Sequence, residues 1–272
     1  MGVVVLFSGS RPFYAQSVPV PKFFDLNERF ERPDLAGLSR LRFLTTVDFP
    51  PFNYIDQNGN LSGYNIDLIR ALCSELKVED ICQIEALPWD ELVIRLKSGG
   101  GEAVIAGLAP TAENRMELAF SRPYMRFPAR FISLQDIEPA QPFSAWIRLQ
   151  RIGVIGNTAH ERMLSAYFPG IDVVTFESNR QLYQAFKEKS VNIAFGDGLA
   201  FSMWLSDPLA DHCCKFIGDP YPGIGYLGEG MRIAVRQKNL RLVLAIDYVM
   251  QLLERKGKLA ELYLRYFPIG FY

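Results

Sequence analysis

Two corners of the chain carry residues able to grip a small charged solute. The first lies in residues 103–124, AVIAGLAPTAENRMELAFSRPY. Its apolar run Ala103–Ala106 reads as a buried strand, Gly107–Pro110 as a turn, and Thr111 as the cap of a short helix opened by Ala112, Glu113, Asn114 and Arg115. Such a corner leaves backbone N–H groups free and turns the positive end of a helix dipole outward, which suits an anion. Thr111 also fits plain helix capping and nothing more. The second corner follows Val191–Gly196, where Asp197 stands between Gly196 and Gly198. An aspartate there either meets a cation or simply serves a turn. Residues for turnover are sparse. The histidines are His160 and His212, no G-x-S-x-G, P-loop or H-E-x-x-H pattern occurs, and neither cysteine pair has zinc-ligand spacing with a histidine. The expectation from these residue types is no catalytic residue, no metal and no cofactor.

The elements that must position these corners alternate regularly. Leu41–Thr46 reads as a strand, broken by Pro50-Pro51. Asp56–Gly59 reads as a hairpin turn centred on Asn58-Gly59. A helix over Gly63–Leu76 has Ile66, Ile69, Leu72, Cys73 and Leu76 on one face. The strand Ile81–Leu87 and the helix Trp89–Lys97 follow, and Gly99-Gly100-Gly101 ends that helix. Then comes the first corner. Ala129–Ser133 reads as an extended segment leaving this unit, after which the pattern repeats. Arg151–Ile155, Val173–Phe176 and Val191–Gly196 are strands; Thr158–Tyr167 and Ser178–Lys187 are helices. An apolar helix starts at Leu199, a strand spans Arg232–Arg236, and Asn239 caps a long helix to Arg255. Strand–helix alternation predicts parallel α/β sheets with right-handed crossovers. Two such units joined by extended segments leave a cleft at the carboxyl ends of their strands.

Composition narrows the class. The chain has 272 residues, 49% of them apolar, and a net charge of −1, so it can bury a large core and lacks the charge footprint of a nucleic-acid or anionic-membrane binder. No run of 18 apolar residues predicts a membrane-spanning helix. The short apolar run Val3–Phe7, with Tyr14-Ala15-Gln16 after it, reads as a secretory signal remnant, and residues 16–38 as a leader. Cys73 and Cys82 flank a helix-to-strand turn and are either bridged or two buried thiols; adjacent Cys213 and Cys214 read as free or buried.

The motifs resemble the family 3 bacterial solute-binding proteins, extracytoplasmic receptors of polar amino-acid ABC transporters. G-x-x-x-T-x-E-x-R with F-S-x-P-Y (Gly107 to Tyr124), the PPF segment ending at Phe52, G-Y-N-I-D-L from Gly63, W-D-E-L from Trp89, and the tail Arg265–Tyr272 carry the likeness, which covers Leu41 to Tyr272. The resemblance implies a two-lobed α/β periplasmic binding protein type II fold with a cleft between lobes joined by two crossover strands. It divides the chain into a leader (1–38), a first lobe in two parts (39–130 and 226–272) and a second lobe (131–225). It implies a bridged Cys73–Cys82 pair, a periplasmic location, a membrane permease as partner, no nucleic acid and a monomer. It also assigns ligand contacts: Phe49, Phe52 and Trp89 as cleft aromatics, Gly107 and Ala109 in the first-lobe turn, Thr158 on the solute carboxylate and Asp197 on its amine.

Three departures mark the site. The family's carboxylate-binding arginine falls on Asn114, and Arg115 comes one residue later, rotated by roughly 100° around a helix. Thr46 replaces an acid found in members that bind cationic side chains, and Ala109 replaces a serine. The solute is therefore expected to be a less polar amino acid, a derivative, or a molecule without a free carboxylate. Two rivals share the scaffold: a periplasmic dehydratase of cyclohexadienyl (arogenate/prephenate) type and a ligand-sensing module.

Overall fold

The computed structural model describes residues 20–31, 35 and 37–272; the expected signal run Val3–Phe7 and the Tyr14-Ala15-Gln16 segment lie outside them. The first half comprises β1 (Leu41–Thr45), β2 (Asp48–Phe49), β3 (Asn53–Ile55), β4 (Leu61–Ser62), α1 (Tyr64–Leu76), β5 (Cys82–Ala86), α2 (Trp89–Lys97), β6 (Ala103–Val104), α3 (Ala112–Glu117) and β7 (Leu118–Phe120). The second comprises β8 (Ala129–Leu134), α4 (Phe143–Ile147), β9 (Arg151–Ile155), α5 (Ala159–Tyr167), β10 (Asp172–Phe176), α6 (Asn179–Lys187), β11 (Ile193–Asp197), α7 (Gly198–Ser206) and β12 (Cys214–Tyr221). The chain ends with β13 (Ala234–Arg236), α8 (Leu240–Arg255) and α9 (Lys258–Tyr266).

The main sheets share one plan. Their orders are β5-β1-β6-β13-β7 and β10-β9-β11-β8-β12. In each, the first three strands in the order are parallel, and the fourth is antiparallel to both its neighbours. The expectation of parallel sheets is thus corrected. The fourth strand, β13 or β8, enters from the other lobe along a crossover, so it runs against the strands built by local βαβ turns. The two crossovers lie side by side. Met231 N–H donates to Met125 O (2.7 Å), and Tyr124 N–H to Met231 O (2.9 Å).

Each sheet has its own core. α1, α8 and α9 cover the first sheet, and Tyr263, Phe267 and Phe271 of the C-terminal part are buried there with Phe52, Tyr64 and Tyr124. Phe131, Phe168 and Phe195 form an aromatic core on one face of the second sheet, and α6 and α7 cover another buried cluster. Phe24 is buried against the first core, and the Gln251 side-chain amide donates to the carbonyls of Asp25 and Glu28. Asn239 stands at the start of α8 but forms no side-chain cap, because a 3₁₀ turn over Gln237–Asn239 leads into that helix.

Cys73 and Cys82 are bonded. Cys213 and Cys214 are bonded as well, which corrects the reading of two separate thiols. Alternation along a strand places neighbouring side chains on opposite faces, but Cys213 precedes β12, in a turn whose Asp211 and His212 both have φ of 50°, and so escapes that alternation.

Asp247 of α8 is buried and accepts the Arg122 N–H (2.9 Å). Burial pushes its carboxyl from 3.8 up to about 6, against the opposing pull of that N–H and of the Arg122 and Arg232 charges. A raised folded-state value contributes stability that is present below about pH 4 and lost as pH rises through about 6. At pH 8 the charge costs on the order of 3 kcal/mol. Asp247→Asn keeps the acceptor and is expected to raise unfolding free energy at pH 8 by about 2–3 kcal/mol, with little change at pH 4. Urea titrations at both pH values check this; equal stability of the two proteins at pH 8 would count against it.

Candidate functional site

The turn after β6 and the carboxyl ends of β9, β10 and β11 supply the cleft. After β6, Gly107 takes a φ of +85°, a conformation that glycine adopts without strain. A Cβ there would meet the Phe49 ring at 3.3 Å, so the turn lies directly on that ring. Phe49 in turn rests on buried Phe52, with centroids 5.0 Å apart. Thr111 caps α3 by accepting the Asn114 N–H at 3.2 Å.

Asn114 and Arg115 diverge as the helical rotation requires. The Asn114 amide folds back and donates to Ala109 O (2.8 Å). Arg115 reaches along the turn instead: its Nε donates to Pro110 O (2.9 Å) and its Nη2 pairs with Glu229 (2.8 Å). Thr46 is buried and committed to structure. Its Oγ1 accepts from Asn53 (2.8 Å) in a chain that continues through Asn65 to Tyr124. Trp89 stands at the first position of α2, 52% exposed, outside the cavity lining described below.

In the second lobe, Asn157 has a φ of +59°, in the left-handed region where asparagine is the best-tolerated alternative to glycine. Thr158 caps α5: its Oγ1 donates to Ile155 O (2.7 Å) and accepts the Glu161 N–H (3.2 Å), while Glu161 reaches back to the Asn157 N–H (2.6 Å). The Thr158 hydroxyl proton is therefore engaged within the protein. Asp197 ends β11 and caps α7 through Oδ1, which accepts the Leu199 N–H (2.9 Å). Among the described residues no donor pairs with Oδ2.

Two cavities meet at His160 and Asp197. One, of about 330 Å³, enters the second lobe between Thr158, Ser178, Asn179 and Phe195. The other, of about 270 Å³, is lined on one side by Gly107, Ala109 and Pro110, on the other by His160 and Asp197, and along the crossovers by Phe127 and by 227–231, which include Glu229. First-lobe turn and second-lobe acid thus face one space. Burial lowers the His160 value below its ordinary 6.5, while Asp197 pulls it up in part. Burial thus favours the neutral form of His160. The sequence reading names His160 without assigning it to the site and does not single out Glu229. The one signal for Glu229 was its place between Gly228 and Gly230 in the returning segment. No three-residue cluster able to hold a metal occurs among the described residues.

The model of the bacterial extracellular solute-binding proteins, family 3, matches residues 41–269. The ABC transporter arginine-binding protein 1 of Escherichia coli K12 is 26% identical over 234 residues, covering 86% of this chain and 93% of that protein. The histidine-binding periplasmic protein of Salmonella typhimurium is 24% identical, covering 86% and 89%. The unliganded, open L-cystine solute receptor of Neisseria gonorrhoeae superimposes with a TM-score of 0.70 at 21% identity, over 84% of this chain and 92% of that one. The two-lobed architecture with two sheets joined by crossover strands is that of the type II periplasmic binding proteins.

Proposed function

The chain belongs to the bacterial extracellular solute-binding proteins, family 3, and from that membership we propose that it is the periplasmic solute-capturing component of an amino-acid ABC transporter. It binds an amino acid or a close derivative between its lobes and delivers it to a membrane permease, without chemical turnover. The observation that carries this reading is the cavity shared by Gly107, Ala109 and Pro110 with His160 and Asp197. A space walled by two lobes closes when they rotate about paired crossovers, and it buries a small solute as it closes.

The charged ends of an amino acid suit the two walls. Asp197 offers a free carboxylate oxygen to an ammonium group, with His160 beside it. Arg115 stands at the opposite turn with donors for a carboxylate. Phe49, behind Gly107, supplies an apolar surface. In this reading Thr158 acts through the backbone it caps, and Asn114 braces the Ala109 turn. The lobes are read as 39–130 with 226–272 and 131–225, with β8 of the second sheet already starting at Ala129. Relatives named for arginine and histidine binding support an amino-acid solute. Thr46, buried within the first lobe, offers no charge to a cationic side chain.

Thermal melting of protein stripped of bound solute by unfolding and refolding tests the proposal. The panel holds the common amino acids, their decarboxylated amines and their amides. A binder at about 100 times its dissociation constant stabilises the native state by roughly 2.7 kcal/mol, a shift of several degrees. A shift with at least one amino acid is expected, and none across the panel would sink the reading. The dehydratase alternative has one observation in its favour, the His160–Asp197 pair in the cleft, since general acid–base work needs positioned titratable groups. Formation of phenylpyruvate from prephenate, or of phenylalanine from arogenate, would replace the receptor reading with that one.

A further inference from the structure

Glu229 occupies the arginine that the proposed solute needs. Its Oε2 accepts from Arg115 Nη2 (2.8 Å) and from Arg232 Nη2 (3.2 Å). It belongs to the returning crossover and lines the same cavity as Ala109 and Asp197. The surroundings are rich in cations. Arg232 is lowered chiefly by burial; Glu229 raises it, and the charges of Arg115 and Arg126 add to the lowering. Its Nη1 donates to Ser121 O (3.0 Å), while its buried Nε has no partner among the described residues. Two guanidinium groups, those of Arg115 and Arg232, thus meet the Glu229 carboxylate. A second carboxylate entering from the cleft would find favourable charge there.

We propose that Glu229 is an internal counter-ion of Arg115, holding the place of a solute carboxylate in the empty cleft and yielding it on binding. This rests on the receptor reading above. The exchange leaves no charge stranded, because Glu229 keeps Arg232 as its partner when Arg115 turns to the solute. It is also inexpensive. The Arg115 and Glu229 side chains are 47% and 57% exposed, and exposed pairs of this kind have small net worth. Arg115 is not itself in the cavity lining, but it is bonded to two residues that are, Pro110 through its carbonyl and Glu229 through its carboxylate. A Cβ on Gly228 would meet nothing within 4 Å, whereas Gly230 has a φ of +92° and its backbone lies against Met125 O, which fixes the segment after Glu229. Glu229 thereby sets the site's preference between solutes that present a carboxylate and solutes that present only a cation.

Calorimetric titration tests this with L-arginine against agmatine and L-histidine against histamine, each pair differing by the carboxylate alone. The proteins are the wild type, Glu229→Gln, Arg115→Ala and the double variant, each first shown to melt cooperatively. Glu229→Gln is expected to tighten amino-acid binding about fivefold, the equivalent of the ~1 kcal/mol that an exposed pair contributes at most, and to leave amine binding unchanged. Arg115→Ala is expected to weaken amino-acid binding and to cancel the gain in the double variant. Where the wild type binds neither amino acid, Glu229→Gln is expected to open binding of at least one. Unchanged or weaker amino-acid binding in Glu229→Gln overturns the inference, as does a gain that survives Arg115→Ala. A loss confined to agmatine and histamine would instead make Glu229 the partner of a solute cation. A wild type that binds only carboxylate-free solutes leaves the receptor reading standing, and the counter-ion role is then decided by whether Glu229→Gln opens amino-acid binding.

Discussion

Asp197→Ala is expected to abolish binding of any amine-bearing solute, with a loss of about 2–5 kcal/mol, because an ammonium group enclosed by the closing lobes would be left without its counter-charge. The same carboxylate caps α7 through the Leu199 N–H, so alanine also costs about 1 kcal/mol of stability. Asp197→Asn separates the two roles: it keeps an oxygen for the cap and removes the charge. Titration calorimetry with the amino acid that gives the largest melting shift is expected to show both variants crippled in binding, with asparagine melting close to the wild type. Affinity retained in Asp197→Asn would reduce Asp197 to a capping residue and leave the ammonium group unassigned.

The second large effect is expected at Phe52, where the first-lobe core reaches the cleft. Phe52 is fully buried among aromatic rings: Phe49, Tyr64, Phe127 and Phe267 lie with centroids 5.0 to 6.1 Å away. Phe52→Ala removes a large apolar side chain and leaves a cavity that this interlocked group fills only in part. The expected cost is about 3–5 kcal/mol of unfolding free energy in urea. Because Phe52 supports Phe49, and Phe49 lies under Gly107, the variant is also expected to bind solute more weakly at temperatures where it is still folded. Phe52→Leu, which keeps most of the apolar volume, should recover much of the stability. A loss below about 1 kcal/mol for alanine would mean that the aromatic group is loosely packed and does not brace the turn.

Much of the fold was legible because local signals agreed with the global plan. The helix 64–76 follows from one apolar stripe, α2 from Trp89 to the triple glycine, and the two β-α-β-α-β units from their repeated order. Distant pairing was not legible. β7 is three residues long and β12 carries Gly218-Asp219-Pro220, so neither resembles a strand until a neighbour supplies hydrogen bonds; α4 is a single short turn opened by Pro142. The antiparallel fourth strand of each sheet depends on a crossover from the other lobe, which no local pattern encodes. At the site, the turn at Gly107 and the cap at Asp197 could be read from residue type. The partition between Asn114 and Arg115 could not, since it turns on 100° of helical rotation and on Glu229, which lies 114 residues beyond Arg115 in sequence. The place of His160 was open for a related reason: a histidine in the first turn of a helix next to Thr158 can face a cleft but is more often solvated, and the packing of α5 against β11 decides it.

The central claim is that a small amino-acid solute binds between the lobes, and a crystal structure of the protein with the best-stabilising amino acid tests it most directly. The account predicts density between the Gly107–Pro110 turn and the end of β11, with the solute nitrogen within hydrogen-bonding distance of the Asp197 carboxylate. Density instead in the cavity of about 520 Å³ on the second lobe, lined by Asp136, Lys187, His212 and Cys213 among others, with the inter-lobe space empty, would contradict it.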